Sequence, residues 1–202
     1  MHLARAISAG DSLAARQLLA ETPALAVLRV EQGATRLGPA GYFLDDIRHY
    51  VYTADTALHI AAASYQLGVA RQLVDLGADV HAENRRGAQP LHYAADGGPG
   101  AAHWQPDAQA AMIGFLIDVG ADPNAVDKSG VAPLHRAVRN RCASAVRALL
   151  DGGADPHLHN GNGSTPMKLA THSTGRSGSG SPAAKAQQEE IVRLLELQGA
   201  RR

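Results

Sequence analysis

The chain has few cysteines and few aromatic residues. Its 202 residues include one cysteine, Cys142, one tryptophan, two phenylalanines and five tyrosines. A lone cysteine can neither close an internal disulfide nor build a cysteine cluster around zinc, which argues against a stapled secreted scaffold and for a reducing, cytoplasmic setting. Charge of one sign is missing too. Nineteen basic residues balance nineteen acidic ones, so no whole-chain field draws the protein to nucleic acid or to an anionic membrane. No stretch approaches the roughly 18 uninterrupted apolar residues of a spanning helix, and Arg5, Asp11 and Arg16 interrupt the region where an export signal needs an apolar core. Neither nucleic acid nor membrane is expected as a partner. The chain also lacks a Gly-x-x-x-x-Gly-Lys phosphate loop, a Gly-x-Ser-x-Gly elbow and a Gly-x-Gly-x-x-Gly fingerprint, and no cofactor is expected.

What the chain does contain is an internal repeat. Thr56-Ala-Leu-His-Ile-Ala-Ala recurs as Gln89-Pro-Leu-His-Tyr-Ala-Ala, as Ala132-Pro-Leu-His-Arg-Ala-Val and, more loosely, as Thr165-Pro-Met-Lys-Leu-Ala-Thr. A second marker, Gly-Ala-Asp, keeps step at Gly77, Gly120 and Gly153, with a degenerate copy at Gly199. Leu58 and Leu91 lie 33 residues apart, Leu91 and Leu134 43, and Leu134 and Met167 33 again, so the period is 33 with ten residues added once. Between markers run two short apolar stripes at helical spacing, such as Leu58, Ala61 and Ala62, then Val69, Leu73, Val74 and Leu76. They predict two antiparallel helices per unit. The glycine follows the second stripe, where a left-handed C-terminal cap is wanted, and a polar, turn-forming stretch comes next.

The Thr-Pro-Leu-His-x-Ala motif, the period and the Gly-Ala-Asp marker together resemble the ankyrin repeat family. The resemblance implies an all-α solenoid of helix-turn-helix repeats with hairpin-like fingers, in which first helices and fingers line a concave face that binds other proteins. Leu3, Ala6 and Ala15-Arg-Gln-Leu-Leu match the second unit at a constant offset of 55 residues, and Ser181, Pro182, Ile191, Leu194 and Leu195 read as a capped closing helix. The expectation is one domain over 1–202, with five repeats at about 2–22, 54–86, 87–129, 130–162 and 163–202.

Three insertions, at about 23–52, 97–106 and 172–184, interrupt this rhythm, and additions to a rigid scaffold are where site residues tend to sit. In the first, Val27–Glu31 and Ala34–Leu37 read as a short strand pair around Gly33. The segment 42–52 then gathers Tyr42, Phe43, Tyr50 and Tyr52, half of the eight aromatic residues, around Asp45, Asp46, Arg48 and His49. It reads either as a partner-gripping loop or as a satellite core. The second insertion carries His103 and Trp104 in a glycine-rich loop. The third is rich in serine and glycine, reads as a connector, and would form with the second the two walls of one depression. Repeat alignment places Ala63, Asp96, Arg139 and His172 on the first helices, with Ile60, Tyr93, Arg136 and Leu169 one turn earlier. That row can bind a carboxylate, phosphate or acidic peptide through its arginines, unless Asp96 and Arg139 pair with each other.

Ten histidines invite a metal reading. His59, His92 and His135 belong to the repeat motif, and the resemblance implies a structural hydrogen-bonding role for them. His157 and His159 lack a third ligand, and the run from Asp122 lacks the acid a calcium loop needs where Pro133 stands, so no metal is expected. The sequence thus points to a monomeric module that binds a protein or peptide, with the insertions as specificity elements. The alternative is a small-molecule ligand or enzyme pocket in which Asp45, Asp46, His49, Asp96, His103 and His172 include an acid-base pair.

Overall fold

The computed structural model describes residues 1–35, 38, 40–99, 104–172 and 181–200. Among them, ten helices follow in pairs: α1 (His2–Ser8) with α2 (Ser12–Glu21), α3 (Ala57–Ala63) with α4 (Leu67–Asp75), α5 (Pro90–Ala94) with α6 (Pro106–Asp118), α7 (Pro133–Arg139) with α8 (Ala143–Asp151), and α9 (Pro166–Thr171) with α10 (Pro182–Leu197). Each first helix packs on the next first helix, and each second helix on the next second helix. The result is an all-α repeat architecture. Its core is the seam between the two rows, where Leu58, Leu91, Leu134 and Met167 stand at equivalent positions and are all buried. Burying a side chain of this size contributes about 1.5–3 kcal/mol, and stacking supplies the apolar neighbours that a lone helix pair lacks.

Local sequence sets the ends of these helices. Proline opens α5, α6, α7, α9 and α10 at a first-turn position, where its fixed φ suits a helix and its missing N–H costs nothing. Ser181 caps α10 by accepting the Ala184 N–H at 3.2 Å. At the other end of each second helix, Gly77, Gly120, Gly153 and Gly199 adopt φ near +90°, +104°, +91° and +79°. In all four copies the following alanine N–H reaches back to a carbonyl five residues earlier, as in Ala78 to Leu73 at 2.9 Å.

Fingers join the pairs, and each finger clips to its neighbour through main-chain bonds: Arg85 N–H to Thr53 O, Lys128 N–H to Arg86 O, and Gly161 N–H to Ser129 O, at 2.9 to 3.0 Å. An Asx side chain organises each tip. Asn84, Asp127 and Asn160 occupy equivalent positions and each accepts two main-chain N–H groups of its own finger. The motif histidines tie finger to helix. In His59, His92 and His135, Nδ1 accepts the N–H of the residue three positions earlier, while Nε2 donates to a carbonyl of the next finger: Ala88, Val131 and Leu158, each at 3.0 Å. Those bonds require the neutral ring, and burial lowers all three pKa values, that of His92 to about 4.

The segment 23–52 differs from the sequence reading. Among the described residues, no strand pair forms around Gly33. Instead Val30 bonds with Ala54 and Asp55, and Ala34 N–H reaches Val51 O at 2.7 Å, so this stretch lies along the stem of the finger. Gly33 is needed for contact and not for a turn, since a Cβ there would stand 2.3 Å from Thr53 N. The actual hairpin pairs β1 (Phe43–Leu44) with β2 (His49–Tyr50). Alternation decides it: Leu44, Ile47 and Val51 are buried, and Arg48 takes φ +51° in the tight reversal.

Candidate functional site

The hairpin reaches across the row of first helices. Ser8 Oγ at the end of α1 donates to Asp46 Oδ2 at 3.5 Å, and the His49 ring packs on Tyr93 of α5 with centroids 4.4 Å apart. His49 Nδ1 donates to its neighbour's carbonyl, Tyr50 O, at 2.9 Å, while Nε2 faces Asp96 Oδ2 at 3.6 Å. Burial opposes a charge on His49, yet Asp96 and the Tyr50 carbonyl prevail and hold its pKa above the ordinary 6.5.

Asp96 is also held by Arg136 of α7, whose two terminal nitrogens split between Asp96 Oδ2 at 2.8 Å and Asp127 Oδ2 at 2.9 Å. Burial alone would raise both carboxyl pKa values. Arg136 reverses this, helped by His49 at Asp96 and by the Ser129 and Val131 N–H groups at Asp127, so both stay below the usual carboxylate range. The internal ion pair offered as the alternative to ligand binding thus forms, with Arg136 in place of Arg139 as the partner of Asp96. The reason lies in helix length: the glycines after Asp96 end α5 at Ala94, so Asp96 follows the helix and turns toward the earlier arginine. His172 likewise caps α9 from just beyond it.

Beneath His49 lies a second network. The fully buried Asp55 accepts from Tyr52 N–H at 2.6 Å, Asn84 Nδ2 at 2.8 Å and Tyr93 Oη at 2.9 Å. Tyr93 is 1% exposed, so its contacts are internal; the row expected to face a partner is covered here by the inserted hairpin. Sequence reasoning passed over Asp55 and Asn84, although register offered a signal. The positions equivalent to Asp55 hold Ala88, Val131 and Ser164, and a carboxylate among them is a departure from the repeat.

Past the hairpin the concave face opens. A depression of about 740 Å3 is bounded by Asp96, Arg136 and Arg139 on the helix side and by Arg86, Lys128 to Val131, Gly161 and Asn162 on the finger side. A smaller cleft of about 90 Å3 continues from it to His49, Tyr52 and Tyr93, sharing Arg86, Asp96 and Arg136. Tyr52 forms part of the wall: Arg86 Nη1 donates to its hydroxyl at 3.1 Å, and the Arg85 and Arg86 guanidinium carbons lie 5.2 and 5.1 Å from its ring centroid.

The remaining expected residues are scattered. Tyr42 packs against the core, Asp45, Asp46 and Arg48 are exposed around the hairpin turn, and Tyr50 is 38% exposed against Phe43. Trp104 is half-buried, with its indole N–H given to Gln109 Oε1 at 2.8 Å, and Gln109 in turn donates to Ala94 O and Asp96 O. Here the tryptophan anchors its own loop. His172 lines a separate crevice of about 10 Å3 with Arg139. His103 and residues 173–180 of the third insertion lie outside the described residues. Of the residues offered as an acid-base pocket, the described set brings together His49 and Asp96 alone, at the narrow cleft that opens into the depression. Among the described residues the depression is walled by fingers and helices; residues 100–103 and 173–180 of the second and third insertions, expected to form its walls, lie outside them.

No curated protein matches the chain. Residues 55–85 and 86–128 each match the ankyrin repeat, and residues 116–170 match the family described as ankyrin repeats in many copies. These matches run without a gap over more than half of the sequence, and the chain belongs to the ankyrin repeat family.

Proposed function

We propose that the protein is a cytoplasmic, monomeric interaction module that binds a segment of a protein partner in the depression between its fingers and α5 and α7. Ankyrin repeats are in general protein–protein interaction modules. In this reading five repeats form the scaffold, at about 2–22, 54–86, 87–129, 130–162 and 163–202, and the insertions modify it. The first insertion closes one end of the concave face through His49, while the other two occur between first and second helices. The observation that carries the reading is the open depression itself. Its floor and walls are polar, and side chains already fixed by internal bonds shape it, which lowers the ordering cost of binding. Arg136, Arg139 and Asp96 contact the partner, with Tyr52 and His49 forming the closed end.

A plug tests this. Peptides selected from a random display library against the intact chain are measured against Ser129→Trp, which fills the depression from an exposed position, and against Arg147→Trp on the second-helix row. Loss of binding with the first substitution alone is expected. Equal loss with both, or loss with the second alone, would place binding elsewhere.

A further inference from the structure

We infer that the depression selects an acidic segment of its partner, drawing the carboxylates to Arg86 and Lys128. The inference rests on the proposed protein-binding role of the same surface and adds the chemistry of what is bound. Four basic side chains line the depression, Arg86, Lys128, Arg136 and Arg139, against two acids, Asp96 and Asp127. Both acids are engaged by the one guanidinium of Arg136, and the lining as a whole carries more positive than negative side chains.

Arg86 and Lys128 are placed differently. Neither forms an ion pair among the described residues. Each is steadied by an uncharged group: Arg86 by the Tyr52 ring and hydroxyl, Lys128 by the Arg85 carbonyl at 2.9 Å. Such contacts hold a cation in position without cancelling its charge, so less freedom is lost when an anion arrives. The second-helix side offers the contrast. There Arg147 and Arg193 both meet Glu190, at 2.6 and 3.0 Å. A continuous polyphosphate fits less well than a peptide with spaced carboxylates. Its evenly repeated charges would have to pass Asp96, whose side chain keeps 25% of its surface open to solvent.

The test uses the intact chain and a random dodecapeptide display library. Among selected peptides that Ser129→Trp blocks, Asp and Glu should be enriched over the starting library. Changing those acids to Gln, or combining Arg86→Glu with Lys128→Glu, should weaken binding about tenfold or more at low salt. The melting temperature should fall only slightly, because both side chains are exposed and give up surface contacts alone. Peptides that are blocked by Ser129→Trp yet show no acid enrichment and ignore the charge reversal would overturn the inference while leaving the binding surface in place. Failure to recover any peptide sensitive to Ser129→Trp would overturn both. A single-stranded oligonucleotide that binds the depression more tightly than the acidic peptides would assign it to nucleic acid and overturn the inference.

Discussion

Two kinds of histidine share the row of first helices and behave in opposite ways. His59, His92 and His135 belong to the repeated frame, where each buried ring must be neutral because one nitrogen accepts and the other donates. His49 belongs to the inserted hairpin, where both nitrogens face oxygen and, against the effect of burial, Asp96 and the Tyr50 carbonyl raise the ring's pKa. Both rest on the same face of the solenoid, and the His49 and His59 rings both touch Tyr93. The difference shows that the frame is built from contacts repeated in every unit, whereas the insertion is fastened by contacts that occur once.

The largest expected effect comes from cutting the two regions apart at Asp55. Asp55→Ala would leave the Asn84, Tyr93 and Tyr52 donors without their acceptor in a dry interior, at a cost of about 3–5 kcal/mol in urea unfolding. Within the frame, His92→Leu should cost about 2–3 kcal/mol, since Gln89 N–H and Val131 O lose their partner. A cost under 0.5 kcal/mol for His92→Leu would mean that the finger bonds are idle.

Titration separates the regions by sign. The pKa of His92 falls from 6.5 to about 4 on folding, so its contribution is complete above about pH 6.5 and drains away as the pH drops toward 4, by an amount on the order of 3 kcal/mol. His59 and His135 shift in the same direction. The His49 pKa rises on folding, so its contribution is complete below about 6.5 and is lost as the pH climbs through the raised folded value. His49→Phe keeps the ring contact with Tyr93 and removes the charge. It should cost about 1 kcal/mol near pH 6, and stability above neutrality should then become flat with pH. An unchanged alkaline limb in that variant would show that His49 carries no charge in the folded state. Arg147→Gln should have the smallest effect, about 0.5 kcal/mol or less, because that pair is largely open to solvent.

The same division explains what could be read from sequence. The frame was legible because 33-residue spacing repeats every constraint: the buried leucine, the motif histidine and the left-handed glycine each recur. The insertion offered no second copy to compare. Its aromatic cluster stood out, but the buried anchors proved to be Leu44, Ile47 and Val51, and the hairpin formed over Phe43 to Tyr50, beyond the apparent strand pair around Gly33. The candidate site was half visible. Asp96, Arg136, Tyr93, Tyr52 and His49 were named from register and composition, while the pairing of Asp96 with Arg136 depends on where α5 ends, and that depends on packing between helices. Arg86 and Lys128 were hidden by their surroundings. Two cations on two fingers carry no pattern until neighbouring fingers place them side by side.

The claim that the depression between fingers and first helices is the binding surface is tested most directly by amide chemical-shift mapping. The intact chain would be titrated with a library-selected acidic peptide. Shifts at Arg86, at Lys128 to Val131 and at Gly161 and Asn162, with none along α6 or α8, are the expected result. Shifts confined to the second-helix row, with the fingers unmoved, would contradict it.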